Sequence, residues 1–555
     1  MTTATRTTHG WPQAIATAVL FVLILLPLAM VIGRSFLVDD AVVLTGPLRA
    51  LTDRDLTQVF LNSMLLGLLV VVTTTVLAAP LAFCMAKTSL GRHRWIDIVL
   101  LIPFMTPPYI ASMGWILFMQ RRGFLDQLLP WLGFTQPWFF SLGGIVMIMS
   151  LNLFPFIYLI LRNSLEAVGR SLEDAGAIHG GNFLYRMRRI ILPLVLSGYT
   201  MGALLIFVKT ISEFGTPATL GRQVGFYVLT TEIYRYTSNW PIDFGRAAAI
   251  SSILLITSML VWYVQQGIAS RHSWSLVGGK DSGIRRYDLG RWGIAVWGYL
   301  GSLLVLSIGV PYFGILSNSL MRSRGRGLSL DNLTLANYAE ILAPGSQGSR
   351  ALATSLSLSA AAATMAVVLG TFLAVTIVRS KGPIRRLIDV SSLLSNTVPR
   401  IVIIVGLVFL WNAPWMRSIT VYNTTAMLVL TYTVAFLPYT VQYVKARYQE
   451  IDESLLAAGR ISGAGRAYIT RRILFPLLKP GMIAGWLMTF IISTRELVAS
   501  LMVRPPGVDT TATFIFRQFD QGAVQLGMAM ALVTIGATVA VLIAVRLYQQ
   551  RSGLK

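Results

Sequence analysis

The amino-acid sequence predicts an all-α polytopic membrane protein of about twelve transmembrane helices, in two parallel six-helix halves related by a pseudo-two-fold axis. Three observations predict it. The 555 residues are 55% hydrophobic and only 12% charged, with a mean hydropathy of +0.66, whereas a soluble domain carries about 25% charged residues. Apolar runs of about 20 residues, enough to cross a bilayer, recur along the whole chain. One polar, glycine-rich loop occurs twice: "SLEDAGAIHGGNFLYRMRRIILPLVLSG" from Ser171 and "SLLAAGRISGAGRAYITRRILFPLLKPG" from Ser454, 283 residues later.

The runs of the first half lie at 13–34, 57–86, 96–119, 139–162, 191–217 and 244–266, and those of the second at 292–318, 353–378, 387–411, 422–444, 474–500 and 523–547. The first follows "MTTATRTTHGWPQ" with no A-x-A-like site, which favours a retained helix over a cleaved signal peptide. The halves read as 1–270 and 292–555, joined by a polar linker, 271–291, that begins "RHSWSLVGGKDSG". The repeat extends beyond the loop. "FLNSMLLGLL" at Phe60 corresponds to "ALATSLSLSA" at Ala351, Ile96-Asp97 to Ile388-Asp389, Pro107 to Pro399, and Glu213 to Glu496. An even number of helices per half makes the halves parallel rather than inverted.

Orientation follows from the lysines and arginines in short loops. Arg6, the group Lys87, Arg92 and Arg94, and the group Arg170, Arg186, Arg188 and Arg189 fall on one side. So do the linker, Arg379, Lys381, Arg385 and Arg386, then Arg460, Arg466, Arg471 and Arg472, and finally Arg546, Arg551 and Lys555. The opposite loops hold Arg121, Arg322 and Arg504 but are less basic. The basic side is the cytoplasm, both termini lie there, and the chain sits in a bacterial cytoplasmic (inner) membrane. The net charge of +23 is thereby a topology signal facing membrane lipid, and no nucleic-acid partner is expected.

Several chemistries are excluded. The single cysteine, Cys84, rules out an intrachain disulfide and a thiolate metal cluster. His9, His93, His179 and His272 show no metal-ligand spacing. There is no G-x4-G-K-[ST] phosphate loop, since "VGGKDSG" near Lys280 lacks the spacing. No nucleophile–base constellation marks an enzyme.

The paired loops are the strongest motif. In the first, Leu172, Ala175, Ile178 and Phe183 form an apolar stripe at helical spacing. Gly176, Gly180 and Gly181 permit close approach and a sharp turn after a short helix, and Pro193 sits near the start of the next membrane helix. Leu455, Ala458, Gly459, Ile461, Gly463 and Pro476 repeat the arrangement. Two related docking surfaces on one chain suit a symmetric, dimeric partner.

At these residues the chain resembles the permease subunits of binding-protein-dependent ABC importers, whose cytoplasmic "EAA" loop has the pattern small/acidic-Ala-Gly-x3-Gly-x9-Ile-x-Leu-Pro. The pattern falls on Asp174, Ala175, Gly176, Gly180, Ile190, Leu192 and Pro193, and again on Ala457, Ala458, Gly459, Gly463, Ile473, Phe475 and Pro476. The leading Glu is Asp174 in one copy and Ala457 in the other, and Phe475 replaces the Leu. The resemblance covers nearly the whole chain. Two fused halves are similar to the ferric-iron-type permeases, whose relatives handle thiamine, 2-aminoethylphosphonate and polyamines. "ISEFGTPATLG" from Ile211 and "RELVASLMVRPPGVDT" from Arg495 resemble that subfamily. The resemblance implies docking loops at 163–190 and 446–473 that seat two copies of a cytoplasmic ABC ATPase. ATP and Mg would bind those subunits, with no cofactor in this chain. A periplasmic or lipid-anchored solute-binding protein would deliver a small solute, ferric iron first among them, for alternating access to the cytoplasm.

Other residues keep two readings. Glu213 and Glu496 are costly at bilayer depth. Together with Pro107 and Pro399 they are candidates for the translocation path or gate, or else each bonds a local arginine, Arg495 for Glu496, or backbone. Asp97 and Asp389 suit structural ion pairs with Arg94 and Arg386. Tyr185 and Tyr468 pack on the partner or on their own turn. Arg188-Arg189 and Arg471-Arg472 meet the partner or lipid headgroups. Met105, Met113, Met119, Met147 and Met149 fill packing gaps rather than bind a soft metal. Pro108 extends the break at Pro107. A rival reading is a secondary transporter with Glu213 and Glu496 as coupling carboxylates. Another is a membrane scaffold.

Overall fold

The computed structural model describes residues 10–38, 41–42, 52–93, 95–131, 136–168, 170–271 and 286–551. Arg6, His9, Arg94, His272, Lys280, most of the expected linker and Lys555 lie outside them. The protein is all-α and multi-pass. Its long helices in chain order are α1 (Gly10–Ser35), α2 (Arg54–Lys87), the bent pair α3 (Trp95–Met105) and α4 (Pro108–Met119), and α5 (Leu142–Ala167). A short helix α6 (Arg170–Ile178) precedes α7 (Phe183–Ile211), α8 (Phe244–Ile268) and α9 (Gly290–Ser319). Then come α10 (Gln347–Arg379), the bent pair α11 (Gly382–Thr397) and α12 (Arg400–Trp411), α13 (Thr425–Gln449), the short α14 (Glu453–Ile461), α15 (Ile469–Thr494) and α16 (Val524–Val545). Among the described residues ten helices are long and apolar enough to cross a membrane, and up to twelve spans result if each bent pair is one. A two-residue ladder, Leu37–Val38 with Ala41–Val42, follows α1.

The expected runs 96–119 and 387–411 are therefore not straight spans. They bend by 89° and 109°. The cause is proline. The residue before a proline is pushed out of the helical region. Thr106 and Val398 are extended, at ψ 129° and 136°, and Pro107 and Pro399 follow at ψ 130° and 129°. Two extended residues in a row break each helix at the same place in the repeat. In the first pair the freed backbone finds a partner: buried Asn152 donates to the Pro103 carbonyl at 2.8 Å.

The chain forms two compact units, and they do not follow its two sequence halves. One unit combines α1 and Ile233–Leu255 with the described chain from Leu335. The other combines the chain from α2 to Glu232 with Ile256–Thr334. The first helix of each half thus belongs with the broken pair of the other half. Small residues permit this. In one unit a Cβ on Gly406 would stand 2.5 Å from the Pro27 carbonyl oxygen. In the other, a Cβ on Gly114 would stand 2.4 Å from that of Pro311. Backbones this close require glycine. Both crossing helices also carry a π-turn just before the proline, Phe21–Leu25 and Val305–Gly309.

Each unit is built around one deeply buried helix, α5 or α13. These are equivalents in the repeat, with prolines Pro155 and Pro438 inside them. They also carry the cations that neutralise the two aspartates. Arg162 on α5 pairs with Asp97, to which Tyr158 also donates at 2.5 Å. Lys445 on α13 binds both oxygens of Asp389 at 2.7 Å. For Asp389 the expected partner Arg386 is replaced by a residue distant in sequence, while Arg94, the expected partner of Asp97, lies outside the described residues. Arg386 is exposed, and the aspartates face the central helix instead.

Candidate functional site

The two glycine-rich loops fold alike, residue for residue. α6 and α14 each end in a Schellman turn. Gly181 N donates to Gly176 O at 2.9 Å and Gly180 N to Ala177 O at 3.0 Å. Ala464 N donates to Gly459 O at 3.0 Å and Gly463 N to Arg460 O at 3.1 Å. This closure needs a left-handed residue just past the helix, and Gly180 and Gly463 both have φ +77°. The other glycine of each motif has a different task. A Cβ on Gly176 would stand 2.6 Å from Ile190 Cδ1, and one on Gly459 2.9 Å from Ile473 Cδ1. The motif's Gly and Ile therefore pack directly on each other. Beyond each isoleucine's π-turn, Met187–Ile191 or Ile469–Leu474, Pro193 and Pro476 occupy the first turn of the long α-helical stretch.

Side-chain exposure matches across the copies as well. Ile178 and Ile461 are 83% and 88% exposed, far more than apolar residues at ordinary helix positions. Leu172 with Leu455, and Tyr185 with Tyr468, form further exposed pairs. Ala175 and Ala458 are exposed, while Asp174 and Ala457 are half-buried. Asp452 caps α14 by accepting from Ser454 N at 2.8 Å, and that bond holds its carboxyl below the usual carboxylate range.

The paired glutamates have diverged. Glu213 accepts from Gly215 N at 2.6 Å and Thr216 N at 3.0 Å, so it caps the chain after α7. Glu496, 5% exposed, instead accepts from Arg400 Nη1 at 2.7 Å. Arg400 is the first residue of α12, just past the break at Pro399, and lies over the Phe436 ring at 5.3 Å. The expected partner Arg495 is displaced by Arg400. Pro108 stands where Arg400 would be in the first half, so that position supplies no cation there. Among the described residues no group of three or more His, Cys, Asp or Glu could hold a metal.

The sequence profile of the family described as "Binding-protein-dependent transport system inner membrane component" matches residues 72–272 and again 366–553. The chain belongs to this family. It is the permease subunit of a binding-protein-dependent ABC importer, duplicated within one polypeptide, and a transport protein rather than an enzyme. Membership decides between the transport classes that the sequence left open, against the ion-coupled carrier. Among individual proteins, the chain is 24% identical to the ferric transport system permease protein FbpB of Actinobacillus pleuropneumoniae, over 92% of this chain and 73% of that one. It is 26% identical to the putative ferric transport system permease protein FbpB 1 of Haemophilus influenzae, over 85% and 74%. It is 27% identical to the spermidine/putrescine transport system permease protein PotB of Escherichia coli, over 44% of this chain and 92% of that one.

Three features of this permease escaped sequence reading. Arg400 directly follows the candidate break at Pro399, and that position is the one signal for it in the sequence. The motif places its acidic position at Asp174, one residue past Glu173. Yet Glu173 is buried and paired with Lys87 at 2.6 Å. The π-turns leave no composition signal at all.

Proposed function

We propose that this permease forms a transmembrane pathway of an ATP-driven importer, with ferric iron as its solute. Each glycine-rich loop is a docking surface, on the cytoplasmic side with both termini, for one of two copies of an ABC ATPase. The sequence halves 1–270 and 292–555 supply one surface each, and a binding protein delivers solute on the opposite face. The observation that carries this reading is the pairwise match of the loops. The same Schellman turn, the same Gly–Ile contact and the same exposed isoleucine occur twice. Two equal surfaces suit a two-fold partner, and nucleotide-driven closure of that partner biases a two-state pathway between outward and inward access.

Iron as the solute is supported by the names of the two relatives that align over most of the chain. Ferric iron is a hard cation that takes oxygen ligands. In this reading the tight site is on the binding protein, and weak contacts in the permease allow release. The polyamine relative supports a second solute class, with thiamine and 2-aminoethylphosphonate as further candidates. Glu213, Glu496, Pro107 and Pro399 are the proposed path or gate, and Arg400 joins them.

The test is purification of the permease from its own membranes with identification of what accompanies it. A phosphate-loop ATPase at two copies per permease supports the docking reading. A co-purifying binding protein is then assayed for ferric iron, spermidine, thiamine and 2-aminoethylphosphonate. Absence of any ATPase under conditions that preserve complexes defeats the docking reading, and tight binding of spermidine with no iron defeats the iron reading.

A further inference from the structure

The two loops match on their exposed face but not on the face that holds them. Behind the first loop, Lys87 at the end of α2 donates to Glu173 Oε1 at 2.6 Å and to the Val168 carbonyl at 3.1 Å. The other oxygen, Glu173 Oε2, accepts from the Tyr287 hydroxyl at 3.2 Å. Tyr287 lies on the short segment that leads into α9, and its backbone is tied to the same place. Its N–H donates to the Lys87 carbonyl at 2.7 Å, and its carbonyl accepts from Ser89 N at 3.0 Å, as a parallel bridge beside Thr88. Its ring meets Phe183 edge-on at 6.2 Å between centroids, and Phe183 meets Phe83 in the same way. Lys87 and Glu173 are each about 1% exposed.

Among the described residues the second loop has no such ion pair behind it. Leu456 stands where Glu173 does, and Arg379 stands where Lys87 does. Arg379 is exposed and donates to Tyr448 of α13 at 3.2 Å, not to the loop. Among the described residues no strand bridge reaches the second loop. A buried ion pair with both carboxylate oxygens engaged fixes geometry, because each partner loses its satisfaction if the other moves. A loop held by the packing of Gly459 on Ile469 and Ile473 and by a solvated cap, with no buried ion pair behind it, opens more readily.

We propose that Tyr287 is a positioning residue. By closing over the Lys87–Glu173 pair it holds the first docking loop in its binding geometry, and the permease presents one pre-ordered and one compliant surface to two identical ATPase subunits. This rests on the docking reading above. The pre-ordered loop captures its ATPase first and more tightly, because less ordering remains to be done on binding. The compliant loop is the one that adjusts as the ATPase pair closes. Tyr287 is thereby part of the coupling apparatus, and the symmetry of the exposed faces hides a functional difference between the loops.

Amide hydrogen exchange on the full-length permease in lipid nanodiscs, without ATPase, tests the tether. Amides of 173–181 are expected to exchange about tenfold more slowly than those of 456–464. Tyr287→Ala brings the first loop to the rate of the second. Tyr287→Phe, which keeps the ring and the backbone pairing, gives an intermediate rate. Equal rates in the unaltered protein, or no change in both variants, overturns the proposal. A photo-crosslinker at Ile178 or at Ile461 then reads docking of the co-purified ATPase. Half-saturation at Ile178 is expected at a several-fold lower ATPase concentration than at Ile461, a difference that Tyr287→Ala abolishes. Identical titrations at the two positions overturn the unequal capture. Crosslinking at neither position, with the exchange difference present, instead removes the docking reading and leaves the tether.

Discussion

Gly180 and Gly463 hold the same left-handed backbone angle, φ +77°, at the same turn of two copies of one loop. Neither would bring a Cβ within 4 Å of another atom. The constraint there is therefore backbone conformation and outward shape, not internal packing. A non-glycine residue costs about 1 kcal/mol or slightly more in this conformation.

That separation makes a clean experiment. Gly180→Ala and Gly463→Ala are expected to cost about 1 kcal/mol locally while leaving the ATPase bound. Gly180→Arg and Gly463→Arg add a long cation to open space on the docking face. Each is expected to keep the permease folded, by detergent melting, yet to release or uncouple the ATPase. Normal co-purification and normal uptake in both arginine variants would show that the loops are not docking surfaces.

Ile178 and Ile461 probe the same surface from its apolar side. At 83% and 88% exposure they contribute little to the fold, so Ile178→Asp and Ile461→Asp should leave the melting temperature unchanged. A carboxylate forced into an apolar pocket of a partner costs several kcal/mol unless paired. Solute-stimulated ATP hydrolysis by the complex should fall at least tenfold in each variant. Unchanged hydrolysis would mean that these two isoleucines face water in the assembly.

Much of this architecture was legible in the sequence, because hydropathy and period-283 self-similarity report chain properties directly. The spans end within several residues of expectation, and the loop glycines do what their spacing suggests. What was hidden depends on distant residues. Both sides of Pro107 are equally apolar, so hydropathy cannot show a bend of 89°. Asp97 and Asp389 have arginines three positions earlier, but helix packing sets them against Arg162 and Lys445. The exchange of α1 and α9 between units follows from glycines at 114 and 406, and nothing local to either helix announces it. The Lys87–Glu173 pair was masked by two stronger explanations: topology for the lysine, and a motif register that favoured Asp174.

The helix exchange itself can be tested through those glycines. Gly114→Val and Gly406→Val place side-chain carbons where the Pro311 and Pro27 carbonyls already lie. Overpacking of this kind costs about 1–3 kcal/mol, and backbone atoms cannot swing aside as a side chain can. Both variants should melt markedly lower than the unaltered protein in the same detergent. Gly301→Val, where no atom lies within 4 Å of the added Cβ, is the control and should melt normally. Equal melting of all three would mean that the exchanged helices do not pack this tightly in the protein.

Glu213 and Glu496 offer the sharpest distinction, because equivalent positions make different bonds. In Glu213→Gln the amide oxygen can still accept one backbone N–H, so the turn after α7 loses about one hydrogen bond. In Glu496→Gln the Arg400 guanidinium loses its counter-charge beside a buried group, at about 1–3 kcal/mol. Arg400, whose side chain is 43% exposed, retains part of its hydration, which places the loss toward the lower end. If the pair Arg400–Glu496 lies on the solute path, uptake driven by loaded binding protein should fall more in Glu496→Gln than in Glu213→Gln. Arg400→Gln combined with Glu496→Gln should restore the melting temperature, since no charge is left unpaired, without restoring uptake. Recovery of uptake together with stability in that double variant would reduce the ion pair to a structural brace at the break in α11 and α12.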